Sequence, residues 1–136
     1  MTHSSQNASN QQLRPIPLDL LNRNFNADDI DIFKSWGSNL ARSNVKMTQL
    51  RKFFSELKRI EADFERLNNR IIFLDPQLAY AAARADKNDA KTKLKELHKA
   101  LSPLIRAIHE DKNKYKRFVR IFEAIIAYHK AEGGES

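Results

Sequence analysis

Apolar residues recur at intervals of three and four through most of the chain, and this spacing predicts amphipathic helices. The clearest run lies in residues 48–71, where the apolar positions fall on one helical face. These positions are Leu50, Phe53, Phe54, Leu57, Ile60, Phe64, Leu67 and Ile71. We therefore expect one long helix here, with its apolar side packed against the rest of the protein.

Residues that commonly begin helices mark two elements in the first half of the chain. Asp28 or Asp29 is expected to cap a helix that runs to about Arg42, although Gly37 inside it costs about 1 kcal/mol relative to alanine. Thr48 is expected to cap the long helix that follows. The segment between them is read as a loop.

The second half of the chain predicts three more helices. Asp75 and Pro76 suggest a capping acid and a proline at the first position of a short alanine-rich helix that ends near Arg84. A fourth helix is expected to begin at Asn88 or Asp89. Pro103 lies within this fourth helix and is expected to cause a kink or break near Ser102. Asp111 is expected to cap the last helix, which should end at Gly133-Gly134.

These elements predict an all-α fold, a single-domain bundle of about five helices over residues 28–134. Residues 1–27 are expected to form a mostly disordered N-terminal tail, because their first part is polar and ends in two prolines. Several apolar residues near this tail either cover the bundle or form contacts between subunits, and the sequence leaves both readings open. They are Ile16, Leu18, Leu20, Leu21 and Phe25.

Composition agrees with helices and narrows the function. The 136 residues include three glycines and four prolines, fewer turn residues than a chain of many short strands needs. The absence of cysteine excludes disulfides and thiol chemistry, and it agrees with a cytoplasmic protein. No apolar run reaches membrane-spanning length, so no membrane partner is expected.

The formal net charge is +7, and it attracts polyanions such as nucleic acids. The charge is uneven, because residues 84–120 contain twelve basic and five acidic side chains and thus carry the whole excess. On net charge alone, a partner polyanion and a charge that only favours solubility are equally supported.

No group of residues in the sequence resembles a catalytic site. A nucleophile needs a base held by a third group, and none of the four histidines lies in such a motif. Glycine-rich phosphate loops are also missing. We therefore expect no enzyme activity, no catalytic residues, no metal and no cofactor.

Basic residues on helix faces are the candidate binding residues. In the long helix, Arg51 and Lys58 point the same way, and Lys52 and Arg59 repeat that relation beside them. Gln49 is a candidate for a hydrogen bond to a phosphate or a 2′-hydroxyl group. Charge and helical geometry select further candidates for an RNA backbone, because arginine matches phosphate oxygens. These are Lys46, Lys87, Arg117 and Arg120.

Aromatic residues offer few stacking platforms, since most lie on the apolar stripes. Only Tyr80 and Tyr128 are considered for base stacking. Even for these two, a partly buried tyrosine with a bonded hydroxyl group is the favoured interpretation.

Three segments in order resemble the small subunit of the type III-A CRISPR effector, the Csm complex. They are Thr48–Phe54, Leu74–Arg84, and Phe118 with Phe122–Lys130 and the closing Gly133-Gly134. The resemblance covers roughly residues 28–134. By position, it implies that Arg51, Lys52, Arg84 and Lys130 contact RNA.

The resemblance also implies the partners. It implies a non-catalytic subunit in several copies, stacked as a filament beside the backbone subunits and the large subunit, along the groove where target RNA pairs with guide RNA. A subunit that serves any guide should contact phosphates and sugars, which carry no sequence information.

Other functions stay open on the sequence alone. The main alternative is a basic helical adaptor that binds an acidic protein and no RNA. A DNA-binding regulator ranks lower, because the junctions at 43–47 and 85–88 lack the glycine that often marks a tight turn between two helices. An enzyme ranks lowest.

Overall fold

A computed structural model describes residues 13–134, and within them the chain forms helices and no strand. Five helices have eleven residues or more: α1 (Ala27–Arg42), α2 (Met47–Ala62), α3 (Leu74–Arg84), α4 (Asn88–Ile108) and α5 (Lys112–Ala131). Shorter pieces are the 3₁₀ turn Leu18–Leu21, the one-turn helix Phe64–Leu67 and the 3₁₀ helix Asn68–Phe73. The expected all-α, single-domain bundle of about five helices is confirmed.

Helix α5 forms the centre of the bundle, because it packs on α1, α2 and α4. Its residues Tyr115, Phe118 and Phe122 are fully buried. Helix α3 has its main contact with α4 and a smaller one with α2. The bundle therefore has two main junctions: one between α1 and α5, and one between α3 and α4.

The start of α1 differs from the predicted cap. Asn26 is the cap residue: its side chain accepts a hydrogen bond from the Asp29 N–H at 3.0 Å, and Asp29 accepts one from the Asn26 N–H at 2.8 Å. This reciprocal pair is a capping box. Asp29 also binds Arg23 at 2.6 Å, so its carboxylate joins α1 to the preceding loop.

Gly37 lies where α1 and α5 approach most closely. A Cβ atom added there would lie 2.5 Å from the Ile125 carbonyl oxygen and 2.7 Å from the Tyr128 Cβ. Those distances are shorter than any ordinary contact, so a side chain would force the helices apart. The glycine that weakens α1 as an isolated helix is therefore required by its packing.

Residues 13–26, expected to belong to a disordered tail, pack on the bundle. Ile16, Leu20 and Leu21 are buried in the core. Trp36 fixes the segment further, since its indole N–H donates to the Arg14 carbonyl oxygen at 3.1 Å. Of the two interpretations left open by the sequence, these three residues therefore cover the bundle. Leu18 remains exposed. The expected disorder of residues 1–12 lies outside the described residues.

The prediction of a single long helix over residues 48–71 is wrong, because the helix is interrupted. Helix α2 ends at Ala62, because the backbone of Asp63 leaves the helical region (φ −137°, ψ 52°). The chain then continues through the two short elements to Phe73. Phe64, Leu67 and Ile71 are nevertheless buried, because the short elements keep their side chains on the core side.

The predicted cap of α2 is also wrong. Lys46, not Thr48, occupies the cap position. The Lys46 N–H donates instead to the Gln49 side-chain oxygen at 2.9 Å, which satisfies one of the free donors at the start of the helix.

Pro103 does not break α4, so the predicted break near Ser102 is wrong, and the alternative of a kink there stays a prediction. The helix runs through it from Asn88 to Ile108. A proline removes one backbone hydrogen bond of the helix. Pro103 is exposed, so water can satisfy the carbonyl group left free, while Leu101 and Leu104 hold the helix on the core.

The boundaries of the last helices follow the sequence signals. Asn88 begins α4, as expected. Asp111 caps α5 by accepting from the Lys114 N–H at 3.0 Å. Gly133 adopts φ +85°, the left-handed conformation that commonly ends a helix.

Candidate nucleic-acid interface

A groove of about 520 Å³ lies between the first half of α2 and the second half of α3. It brings together three of the predicted site residues: Gln49, Lys52 and Arg84. The full lining is Thr48, Gln49, Lys52, Phe53, Gln77, Tyr80, Ala81, Arg84 and Asp86. We call this the α2–α3 groove.

The cations of this groove are available to a ligand. Lys52 and Arg84 are exposed, and neither forms an ion pair with another residue in 13–134. Asp86 is the one acidic residue of the lining. The groove thus presents two free positive charges with a single negative charge at its edge.

Gln49 is oriented before any ligand binds. Its side-chain oxygen accepts from the Lys46 N–H, as described for the start of α2. That bond leaves the two N–H donors of its amide group for a phosphate, a sugar hydroxyl or a base edge.

Tyr80 is exposed, so the prediction of a partly buried side chain is wrong for it. Its side chain is 63% exposed, and the Arg84 guanidinium lies 5.6 Å from the ring centroid. Its hydroxyl group has no hydrogen-bond partner within residues 13–134. Tyr128, by contrast, is half-buried against the core.

A buried carboxylate fixes α3, and thereby Tyr80 and Arg84, on α4. Asp75 is 4% exposed, and its oxygens bind His98 at 2.5 Å, Ser102 at 3.0 Å and Arg106 at 2.8 Å. The predicted role of Asp75 as a helix cap is wrong, since it makes no cap hydrogen bond. We call these four residues the Asp75 cluster.

Asp75 stays ionised in this setting. Burial alone would raise its pKa, but the hydrogen bonds from His98 and Ser102 and the charge of Arg106 outweigh burial, so the pKa lies below its ordinary value of 3.8. Sequence reasoning missed this cluster. Its signal was the spacing of His98, Ser102 and Arg106 at intervals of four, which places three polar residues on one face of α4.

A second basic groove, of about 310 Å³, lies between α5 and the loop before α1. It contains the predicted residues Arg117 and Arg120, and Lys116, which the prediction missed. Its lining is Asn24, Phe25, Asn113, Lys116, Arg117 and Arg120. We call it the α5 groove. The signal for Lys116 was its position one turn before Arg120.

Arg117 is partly engaged by another residue of the protein. Its guanidinium donates to the Arg23 carbonyl oxygen at 3.3 Å, and the side chain is half-buried. Arg120 and Lys116 are exposed and form no ion pair in residues 13–134. The half-buried Phe25 is the single aromatic residue of this lining.

The structure does not bring the other predicted residues into either groove. Lys58 pairs with Glu61 at 2.9 Å and Arg59 with Glu56 at 3.1 Å, so the second half of α2 is largely neutralised. The others are exposed and line neither groove. They are Lys46, Arg51, Lys87 and Lys130.

The two buried hydrogen-bonding aromatic residues of α5 are explained by packing. The His129 Nε2 lies 2.6 Å from the Val45 carbonyl oxygen, and the Tyr115 hydroxyl donates to the Leu57 carbonyl oxygen at 2.8 Å. Burial raises the pKa of Tyr115 far above its ordinary value, so it remains a neutral donor. Both residues join α5 to neighbouring segments.

The fold and the two grooves define a basic helical bundle with cationic surfaces on two sides. A family model described as Csm2 Type III-A matches residues 26–135. The chain therefore belongs to the Csm2 family, the small subunit of the type III-A CRISPR Csm complex.

Two other comparisons add nothing to this assignment: neither a curated protein nor a solved structure matches the chain. The helices within residues 13–134 are all too short or too polar to cross a membrane.

Proposed function

We propose that the chain is a non-catalytic Csm subunit that binds the backbone of guide and target RNA independently of sequence in the cytoplasm. Family membership supports its place beside the backbone and large subunits of the complex. The observation that carries RNA binding is the α2–α3 groove, where Lys52 and Arg84 face an open channel without ion-pair partners in residues 13–134.

Phosphate contacts suit this role. A groove lined by amides and free cations can hold any RNA strand, because phosphates and sugars are the same at every position. The α5 groove adds a second cationic surface with Lys116 and Arg120. Four of the remaining candidates are exposed and form no ion pair with residues 13–134, namely Lys46, Arg51, Lys87 and Lys130. Lys58 and Arg59 rank lower because each is paired with a glutamate.

Titration of labelled single-stranded RNA of three sequences at two salt concentrations tests RNA binding. We expect similar affinities for all three sequences and a steep loss at higher salt, since each phosphate contact changes the slope of log K against log salt by about 0.7. Lys52→Gln with Arg84→Gln should reduce that slope by about 1.4.

The matched control is Lys95→Gln with Lys99→Gln, two exposed lysines of α4 that line neither groove. This pair removes the same formal charge and should leave most of the slope. Equal reductions of the slope in the two double variants would show that the effect comes from net charge and not from the α2–α3 groove. Absence of binding at low salt, both alone and in the complex, would refute RNA binding and leave the adaptor function.

We further propose that copies of the chain associate head to tail through two exposed apolar patches. One patch contains Ile72 and Phe73 and lies beside the exposed Arg70. We assign the other side of the contact to the exposed Leu18 and Ile30, each next in sequence to an exposed acid, Asp19 and Asp31. A contact between two different surfaces is heterologous, and such a contact can extend into a filament.

Sedimentation of the assembled complex tests this contact. Phe73→Ser should reduce the number of copies in each complex, whereas Ala83→Ser, an exposed change on α3, should not. An unchanged copy number with Phe73→Ser would refute a contact through this patch.

A further inference from the structure

Tyr80 is the exposed aromatic residue of the α2–α3 groove, and its surroundings fit a flat ligand. The Arg84 guanidinium lies over the ring, 5.6 Å from its centroid, so an aromatic ring and a planar cation form a cation–π pair. Phe53 and Ala81 add apolar surface to the same groove. A nucleobase stacks well on both tyrosine and arginine.

Polar groups around Tyr80 match the edges of a base and its phosphate. The Gln49 amide has two free N–H donors, and the Gln77 side chain makes no hydrogen bond to residues 13–134. Lys52 provides a cation for the neighbouring phosphate. The groove volume of about 520 Å³ lies within the range of about 300–1,000 Å³ typical of small-ligand sites.

The α5 groove provides the contrast. Its lining has cations and two asparagines, but its aromatic residue, Phe25, is half-buried and stacks edge-on with Phe33 at 5.4 Å. That ring is committed to the core. Of the two grooves, only the α2–α3 groove pairs its cations with an exposed aromatic ring.

We propose that the α2–α3 groove binds an unpaired RNA base, stacked on Tyr80 and Arg84, while Lys52 neutralises the adjacent phosphate. This inference rests on the proposed RNA binding and adds a base contact to it. The contact tolerates any sequence, because every base offers a flat π face. It requires a base that is not engaged in a helix, so a fully paired duplex should not use it.

The test compares base-containing RNA with the same RNA carrying abasic nucleotides, using the full chain. Tyr80→Leu removes the ring, and the matched control Tyr80→Phe keeps it. Stacking of one base corresponds to about a 5- to 150-fold change in affinity.

We expect Tyr80→Leu to weaken binding of base-containing RNA by such a factor, whereas Tyr80→Phe should bind like the unmodified protein. Abasic RNA should bind the unmodified protein as weakly as it binds Tyr80→Leu. The loss of affinity caused by Tyr80→Leu should be nearly independent of salt. Thermal unfolding of each variant confirms an intact fold.

The inference is overturned when Tyr80→Leu and the unmodified protein discriminate equally between base-containing and abasic RNA. RNA binding that persists in that case leaves the proposed function standing without the base contact. A Tyr80→Leu variant that changes copy number in the complex but not RNA affinity also overturns the inference, because Tyr80 then serves a protein contact.

Discussion

The two main junctions of the bundle are held by opposite means. Helices α1 and α5 meet through apolar side chains and the missing side chain of Gly37. Helices α3 and α4 meet through leucines and alanines as well, but their partially exposed side is closed by the Asp75 cluster. The first junction depends mainly on shape, with a single side-chain hydrogen bond from the Ser38 hydroxyl to Glu132 just after α5, whereas the second also depends on a buried charge.

The difference matters for function, because α3 carries Tyr80 and Arg84. A change at the α1–α5 junction should affect stability and leave binding in the α2–α3 groove unchanged once the folded fraction is considered. A change in the Asp75 cluster should affect both. Four measurements sharpen or break this contrast.

The largest expected effect comes from Gly37→Val. A branched side chain cannot fit 2.5 Å from the Ile125 carbonyl oxygen, so the helices must separate. We expect the free energy of unfolding to fall by about 3 kcal/mol, as for other overpacked cores. Urea denaturation measures it.

Ala127→Val is the matched control, because Ala127 is exposed on α5 and the change costs only helix propensity, less than about 0.7 kcal/mol. A similar loss in both variants would show that Gly37 is not a packing requirement.

Asp75→Ala should have the next largest effect, a loss of about 2 kcal/mol, because it removes the acceptor for three donors at a buried site. Arg106 remains exposed and solvated, which limits the loss. We also expect weaker RNA binding, since α3 is less firmly held.

Stability and RNA titrations of Asp75→Ala, compared with Asp31→Ala on the exposed side of α1, separate the two effects. Full RNA affinity in folded Asp75→Ala would show that the α2–α3 groove does not depend on the cluster.

Tyr115→Phe tests a third contact, between α2 and α5, where a single buried hydroxyl group bonds to the Leu57 carbonyl oxygen. The expected loss is about 1 kcal/mol, the value of one hydrogen bond. RNA affinity should not change. Urea denaturation detects the loss, and a neutral result would mean that the ring alone provides the contact.

The smallest effect is expected from pH. The folded pKa of Asp75 is below its ordinary value, so its charge stabilises the fold above about pH 3.8, and this contribution is lost as the pH falls below that value. Asp75→Asn lacks this contribution, so its urea midpoint should fall less between pH 5 and pH 3.

Asp29 also contributes to the free energy of unfolding in a way that is lost in acid. The Arg23 guanidinium beside Asp29 lowers the pKa of that carboxyl group as well, so some loss persists in Asp75→Asn. Adding Asp29→Asn should flatten the curve further. Parallel curves for the unmodified protein and Asp75→Asn would contradict the role of Asp75.

Much of the fold could be predicted from the apolar spacing, because periods of three and four mark the buried face of a helix before any tertiary contact is known. The break at Asp63 could not, since the apolar period continues across it through Phe64 and Leu67. Pro103 suggested a break that does not occur: a proline inside a helix removes a backbone hydrogen bond, but the buried Leu101 and Leu104 on either side hold this helix on the core.

The candidate site was predictable in part for a related reason. Lys52 and Arg84 are separated by thirty-two positions, and only the packing of α3 beside α2 places them in one groove. Faces of single helices predict which cations are exposed, not which ones meet. Exposure of Tyr80 was missed because its burial depends on neighbours that the sequence does not show.

Trp36 gives the protein an internal optical reporter. It is the single tryptophan of the chain, it is buried, and its indole N–H donates to the backbone of Arg14. Release of the N-terminal segment would break that bond and admit water, which shifts the fluorescence maximum to longer wavelength. Emission recorded during assembly thus follows the seating of this segment in real time, without an attached dye.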